Sequence, residues 1–483
     1  MNEKKGFFLF RSKVIASIQV IISALAAFYV IKFNSLPSKY LIMFLGTLLL
    51  VTLLTVLLVL KTDEPSNKNV LSKILSSIIS LALLVGTLYL VRGDSFIKDV
   101  TGASKDTHVV SVVVLKDKPY ETLADVENEF IFGANDRMDA KNIKKALDSL
   151  EKDGHDIEIQ SYDTYEDLSK ALRSGEREVI LLSEAHRALM KEYDEHFDDD
   201  TKVIHSIKYE EEVKIVDKNT NVKSDTFSFF ITGIDTYGPV STVSRSDVNM
   251  IMTVSPKTNQ ILLTSIPRDY HVELASFGAY DKLTHAGIYG VGESVATLEN
   301  LLNIDIDYYV RVNFSSVEQI VDSLGGVDVY SRYTFSADGY SYVEGMNHMN
   351  GPMALRFVRE RYQLPEGDLD RVRNQQALMT GMIKKAMSPT IITNYNSILS
   401  SVSGSFEMSM PDSDLKKLVK MQLDTGADWD VMQIQLTGYG SNSTTTYSMP
   451  GWNLYVMEPN YDTVNYASSL IHQMENGEVI SVD

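Results

Sequence analysis

The sequence predicts an α/β protein: a core domain with helices around a central mixed sheet, preceded by a smaller α/β domain and by three membrane-crossing helices. Three observations carry this expectation. Apolar runs of bilayer length occupy the first hundred residues. Beyond them, short apolar strands alternate with amphipathic helical patterns. After Asp225 the chain has only nine arginines, all between Arg245 and Arg373, and the last 110 residues hold none.

The apolar runs come first. Val14–Ile31, Tyr40–Leu60 and Ile74–Val91 are uncharged stretches of 18, 21 and 18 residues. As helices they span roughly 27–31 Å, about the thickness of a bilayer hydrocarbon core. A cleaved signal peptide would be a single shorter run, so three of them read as a retained anchor over residues 1–95. Lys4, Lys5, Arg11 and Lys13 precede the first span, and Lys61, Lys68 and Lys73 follow the second. The positive-inside bias places the N-terminus in the cytoplasm and everything after Arg92 outside the cell.

The remainder is acidic. Residues 1–100 contribute +6 (11 basic against 5 acidic), which leaves −25 on residues 101–483 out of a total of −19. No cysteine occurs, so an exported portion must be held by its apolar core rather than by disulfides. Its length accommodates two domains, divided at the polar stretch Lys214–Asp225. In the first, residues 105–214, the runs Val109–Leu115, Ile157–Tyr162 and Glu178–Ala185 read as strands separated by helical patterns. It offers no catalytic constellation.

The second domain, residues 226–483, opens with the buried strand Thr226–Asp235 and continues with two apolar strands around a Pro-Lys-Thr-Asn turn in Asp247–Asp269. Helices are expected near Glu293–Asn303, Gly351–Arg361 and Asp368–Met387, with a strand at Asp307–Phe314. Asp235 ends one strand, while Arg245 and Asp247 begin the next. Two carboxylates and a guanidinium can therefore meet at one sheet edge, a donor set that suits Mg²⁺, with Mn²⁺ as an alternative. Arg268 and Asp269 close the following strand. Asp368, Arg371 and Gln375, spaced i, i+3, i+7, share a helix face that Arg359 and Arg361 approach from the preceding segment. Guanidinium forks match phosphate oxygens two at a time, so this concentration in an anionic domain points to a pocket for a multivalent anion. His285 reads as structural. Serine-hydrolase elbow, Walker A and His-Glu-x-x-His motifs are absent.

The runs Arg245–Leu274, DKLTHAGIYG, YYVRVNFSSVEQIVDSLGGVDV and Ala354–Gln376 resemble the LytR-CpsA-Psr family, in order and over about Thr226–Met387. The anchor and the extra α/β domain resemble its CpsA-type capsule branch. The resemblance implies an enzyme that moves a glycopolymer from a polyprenyl-diphosphate carrier onto peptidoglycan. It implies Mg²⁺ on Asp235 and Asp247, and a diphosphate surrounded by Arg245, Arg268, Arg359, Arg361, Arg371 and Gln375, with Asp368 beside it. Asp247, Arg245, Arg268 and Asp368 are the catalytic candidates. Thr284 stands where the family usually has Asn, and Glu366 where it commonly has Gly; neither is expected to touch a charged position.

Three other readings stay open: a membrane-anchored regulator, a lipid-binding scaffold, and a diphosphatase that uses water as acceptor. Direct nucleic-acid binding is disfavoured, because the large outer portion is strongly anionic. Capsule-assembly proteins are candidate partners of the first outer domain.

Overall fold

The computed structural model describes residues 11–62, 66–213, 220–234, 239–388, 404 and 406–482, apart from the side chains of Phe314 and Ser315. The chain forms two compact units, one of Met1–Thr101 with Pro411–Asp428, the other of Gly102–Asn394, Gly404–Met410 and Trp429–Asp483.

The first unit contains helices α1 (Ser12–Phe33), α2 (Ser38–Lys61) and α3 (Asn67–Val100), all three long and apolar enough to cross a membrane. Their burial inverts that of a soluble bundle. Large apolar side chains such as Ile21, Leu49 and Leu71 are 59–71% exposed, whereas Gln19, Ser76, Ser72 and Ser80 are buried. The serines recur every fourth residue on α3, and small polar side chains at such a seam let backbones approach and hydrogen-bond across. Gln19 donates to Thr55 of α2 and accepts from Ser76 of α3, and the Ser23 and Thr52 hydroxyls meet at 2.8 Å.

The second unit holds two sheets. The first builds on β1 (Lys105–Leu115), β2 (Phe132–Ala134), α4 (Ala140–Lys152), β3 (Ile159–Ser161), α5 (Tyr165–Ser174), β4 (Val179–Ser183), α6 (Arg187–Tyr193), the short α7 (Phe197–Asp200) and β5 (Thr201–Glu212). The strand order is β3-β2-β4-β1-β5. β2 runs parallel to β3 and β4, while β1 is antiparallel to β4 and β5. Helix α4 closes one apolar cluster with Ile143, Ala146 and Leu150. The other cluster joins Leu168 and Leu172 of α5 to Val243, Ile288, Met449 and Leu454, so its core continues into the second half of the chain.

The second half adds β6 (Phe227–Ile234), β7 (Ser246–Ser255), β8 (Gln260–Ile266), β9 (His271–Leu274), β10 (Ala279–Lys282), α8 (Leu283–Ala286), α9 (Val291–Leu302), β11 (Tyr308–Asn313) and α10 (Phe314–Ser323). There follow β12 (Val327–Ser331), β13 (Phe335–Ala337), β14 (Tyr340–Tyr342), β15 (Gly345–Met349), α11 (Gly351–Arg359), α12 (Asp368–Ala386) and β16 (Phe406–Met408). After α13 (Asp412–Thr425), which packs in the first unit, come β17 (Asp430–Gln435), β18 (Gly438–Ser443), β19 (Leu454–Pro459) and α14 (Tyr461–Glu475). The main sheet has the order β16-β11-β6-β7-β8-β17. It is mixed: β6, β7 and β8 are antiparallel neighbours, with β11 parallel to β6 and β17 parallel to β8. All eight residues of β6 are buried, as a central strand covered on both faces requires. Helices α9 and α14 fill one face with Val295, Leu298, Ala467 and Ile471. On the other, Gln376 of α12 donates its amide to the carbonyls of Leu263 (3.2 Å) and Ile434 (2.5 Å), locking that helix over β8 and β17.

One buried ion cluster joins the two sheets. Arg311 of β11 pairs with Asp106 of β1 and Glu407 of β16, and donates to the Lys105 carbonyl at 2.5 Å. Backbone bonds beside it run from Thr107 N–H to Ser241 (2.8 Å) and from Val243 N–H to Thr107 (2.9 Å). Burial pushes both carboxyls up, and the Arg311 guanidinium pulls them back. Arg311→Met would leave two buried carboxylates facing each other, at a cost of about 3–5 kcal/mol. A melting temperature lowered by several degrees is the expected result in thermal unfolding; an unchanged one would remove this cluster from the stabilising contacts.

A second test concerns Asp139, whose burial raises its carboxyl pKa to about 8, partly offset by Asn142, Ser183 and Tyr165. His186 lies 3.5 Å away and is held neutral, since burial lowers its pKa to about 3. The folded chain keeps a proton on Asp139 that the unfolded chain releases near the ordinary value of 3.8. The stability this group contributes is therefore present below that value and is lost as pH rises towards about 8. Asp139→Asn is expected to gain melting temperature over the unsubstituted chain at about pH 8 relative to its standing at about pH 5; an equal difference at both values would show that Asp139 does not titrate there.

Candidate functional site

The sheet register builds the site. β7 and β8 pair Asn249 with Ile266 and Met250 with Ser265, so their continuation sets Asp247 opposite Arg268. The two side chains do meet, Arg268 Nη1 donating to Asp247 Oδ1 at 2.8 Å. On the other side of β7, Ser246 pairs with Ile234 after a bulge at Gly233. A Cβ at Gly233 would lie 2.8 Å from the Val248 side chain, which is why glycine stands there. The carboxyl end of β6, the amino end of β7 and the carboxyl end of β8 therefore share one edge. Asp235, the expected second metal ligand, lies outside the described residues.

The loop after β8 extends the cluster. Arg268 Nε stands 3.7 Å from Asp269, which pairs with Lys282 at 3.1 Å. Thr284 departs from the expectation. Its N–H donates to the Arg268 carbonyl at 2.8 Å and its hydroxyl reaches 3.4 Å from Asp247 Oδ1, so the position does touch a charged group. Gly287 makes the approach possible, since a Cβ there would stand 2.6 Å from the Ser244 carbonyl and 2.8 Å from the Ser246 nitrogen. His285 is buried, with Nδ1 at 2.7 Å from Asp281 and 2.8 Å from Ser448 Oγ. Burial opposes the Asp281 charge, but His285 and Ser448 hold its carboxyl below the usual range. These contacts give His285 a structural post.

Helix α12 brings the remaining guanidinium. Asp368 and Arg371, one turn apart, pair at 2.7 Å. Burial lowers the basicity of Arg371, Asp368 counteracts it, and the neighbouring cations Arg268 and Arg361 lower it further. Arg268 responds in the other direction: burial works against its charge, but Asp247 and Asp269 more than restore it. The Nε–H groups of both Arg268 and Arg371 are buried without an acceptor among the described residues. Two such donors in one electrostatic neighbourhood leave room in the hydrogen-bond account for an anion.

The other predicted residues make contacts of their own. Arg361 stacks on the Tyr362 ring at 4.6 Å and donates to its hydroxyl. Arg359 is the exposed last residue of α11. Arg245 is 3.8 Å from Glu192 of α6, a neighbour supplied by the first sheet domain that sequence reading missed, because nothing local links residues so far apart. Gln375 donates to the Val358 carbonyl at 3.5 Å and stands at an apolar cavity of about 70 Å³. Ile231 and Met250 of β6 and β7, Val312 of β11, Ile320 of α10 and Met379 of α12 line it. Helices α10 and α12 thus wall the cavity together with strands β6, β7 and β11. Among the described residues no three His, Asp or Glu side chains converge at metal distance.

Known proteins resemble this chain. The model of the LytR_cpsA_psr family matches residues 190–461. A polyisoprenyl-teichoic acid–peptidoglycan teichoic acid transferase TagU of Bacillus anthracis (strain CDC 684 / NRRL 3495) is 37% identical over 227 residues, 46% of this chain and 74% of that protein. The protein of that name from Bacillus cereus (strain ATCC 14579) is 32% identical over 302 residues, 62% of this chain and 86% of its own. Among solved structures, B. subtilis TagU is 27% identical with a TM-score of 0.42, covering 53% of this chain and 100% of that one. The match of the family model extends over more than half of the chain and includes Asp247, Arg268, Asp368 and Arg371, so the chain belongs to the LytR_cpsA_psr family.

Proposed function

We propose that the protein is a membrane-anchored transferase that moves a glycopolymer from a polyprenyl-diphosphate carrier onto peptidoglycan. The observation that carries this reading is the pair of buried guanidinium N–H groups on Arg268 and Arg371 that have no acceptor among the described residues, Arg371 lying one helical turn from Gln375, which lines an apolar cavity. A diphosphate with a lipid tail offers what both require: oxygens for the arginines and hydrocarbon for the cavity. The names of the relatives, polyisoprenyl-teichoic acid–peptidoglycan teichoic acid transferases, support the same class of reaction. The polymer is a capsular polysaccharide or a similar glycopolymer.

The chemistry follows from the charges. A hydroxyl oxygen of peptidoglycan attacks the sugar-linked phosphorus, a new P–O bond forms, the bridging P–O bond breaks, and polyprenyl phosphate leaves with the bond's electron pair. Arg268 and Arg371 hold the oxygens on which charge gathers, and Arg245 approaches from the start of β7. Asp247, 9% exposed and bonded to Arg268, is a fixed counter-charge. Asp368, 38% exposed, is the carboxylate that an incoming hydroxyl can reach and takes its proton. Asp247, with Asp235 as the second carboxylate the sequence suggests, would hold Mg²⁺, which when bound would neutralise phosphate charge. With the N-terminus in the cytoplasm, three crossings export the remainder, and the tether confines the enzyme to the membrane that holds its lipid substrate.

The test uses the full chain in detergent with Mg²⁺, a polyprenyl-diphosphate-linked oligosaccharide and peptidoglycan fragments, with mass spectrometry of the products. Arg268→Ala and Asp247→Ala are each expected to lower the joined phosphodiester product by roughly 100-fold or more, the scale of one lost transition-state donor. Arg268→Lys should rescue little, since an ammonium lacks the planar fork. Bound lipid without product would favour a scaffold, and released sugar phosphate without joining a diphosphatase.

Metal removal gives a separate outcome. Chelation with EDTA is expected to suppress transfer, and Mg²⁺ or Mn²⁺ to restore it; transfer that survives chelation at an unchanged rate would remove the metal from this reading.

A further inference from the structure

Helix α12 carries a second functional stripe. Arg371, Gln375, Leu378 and Met382 follow the i, i+4, i+7, i+11 spacing of one face, which is the face of the arginine site and the apolar cavity. Arg373, Ala377, Thr380 and Lys384 follow the same spacing two residues later. At about 100° per residue, a two-residue offset turns that stripe to the opposite side of the helix. There it forms the floor of an open groove of about 460 Å³.

The walls come from two other elements. Tyr330 and Arg332 stand along and just after β12, while Gln433 and Gln435 project from β17, the edge strand of the main sheet. Arg332, Arg373 and Lys384 line the groove against a single carboxylate, Asp328, in an outer portion that carries −25 (the total of −19 less the +6 of residues 1–100). Asp328 is matched with His348 at 2.8 Å, and Arg373 with Glu366 and Asp370. Arg332 and Lys384 are exposed and have no carboxylate partner among the described residues. The Tyr330 ring is 54% exposed beside them. Gln433 and Gln435 are held in place by bonds from their Nε2 atoms to Thr380 Oγ1 (2.6 Å) and the Leu369 carbonyl (3.2 Å).

We propose that this groove binds an anionic glycan strand, through Arg332 and Lys384 for its carboxylates or phosphates, Gln433 and Gln435 for its hydroxyls, and Tyr330 for a sugar face. The chemistry of the lining selects this class. Two unmatched cations favour an anion, fixed carboxamides favour dense hydroxyls, and an exposed aromatic with its polar tip favours a ring with one apolar face. The volume suits a few sugar units rather than a folded partner. The inference rests on the transferase reading, in which two such strands must reach α12: the polymer being moved and the peptidoglycan receiving it. The shared chemistry does not require choosing between them, and the experiment separates the two.

Calorimetric titration of the full chain in detergent would use two lipid-free probes: a peptidoglycan tetrasaccharide bearing its peptides, and a phosphate oligomer whose sugar rings are joined by phosphodiesters. Arg332→Gln with Lys384→Gln, and separately Tyr330→Ala, are exposed changes that leave the fold intact. Each is expected to weaken binding of a probe about tenfold or more, the scale of one lost charge-assisted bond or stacked ring. A loss confined to the peptidoglycan probe assigns the groove to the acceptor, and a loss confined to the phosphate oligomer assigns it to the polymer. Unchanged affinity for both, or no binding of either to the unsubstituted chain, overturns the proposal. Arg268→Ala in the same titration should leave glycan binding within about twofold while abolishing transfer; transfer that persisted there would defeat the function proposed above without touching the groove.

Discussion

The fold outside the membrane segments depends on one buried cation. Arg311 lies on β11, next to the central strand of the main sheet, and its guanidinium is shared by Asp106 from the first sheet and Glu407 from the edge strand β16. A charge this deep is tolerated only when carboxylates offset it, and the two Nη groups bind Asp106, Glu407 and the Lys105 carbonyl, so three chain segments from distant parts of the sequence are committed to one geometry. Tyr309, two residues earlier, adds a bond from its hydroxyl to the Ala103 carbonyl at 2.9 Å. The shared apolar cluster of Leu168, Val243 and Met449 then closes over the same junction. The two α/β portions read from the sequence thus share an ion cluster and part of an apolar core.

That rigidity matters to the site, because the site is made of strand ends. Asp247 and Arg268 face each other as the continuation of a hairpin register, and a register is fixed only if both faces of the sheet are filled. Helices α9 and α14 fill one face, and α12 is bolted to the other by Gln376. The guanidiniums of Arg268 and Arg371 are then close enough to lower the basicity of the latter, beyond what its burial does. Like charges held together are a cost the fold carries, and a bound anion would relieve it. The anchor solves its own packing problem differently, with Gln19, Thr55 and Ser76 bonded to one another in the middle of apolar helices.

Much of this was legible in the sequence. The three apolar runs matched α1, α2 and α3, although α3 continues to Val100, well past the apolar stretch, because its polar C-terminal turns remain helical. The buried strand expected from Thr226 is β6, Phe227–Ile234, and the helices expected at Gly351–Arg361 and Asp368–Met387 are α11 and α12 within two residues. The i, i+3 spacing of Asp368 and Arg371 became an ion pair, since helical spacing is a local property. Local rules were less help with the arginines as a group. Their crowding suggested one pocket, yet the chain divides them: Arg268 and Arg371 enter the site, Arg311 joins the sheets, and Arg332 and Arg373 line a groove across α12.

The sequence by itself determined the periodicities: which segments are apolar enough for a bilayer, which strands are buried on both faces, and which charged residues share a helix turn. These depend on neighbours a few positions away, and hydrophobic pattern and helical pitch report them directly. Only the tertiary structure decided that Thr284 reaches Asp247, that Glu192 stands by Arg245, and that α10 and α12 wall the apolar cavity together with β6, β7 and β11. Each of those pairs segments tens of residues apart, whose meeting is set by sheet order and by how helices cover the sheet. No local pattern encodes that choice; it is made by the packing of the whole core.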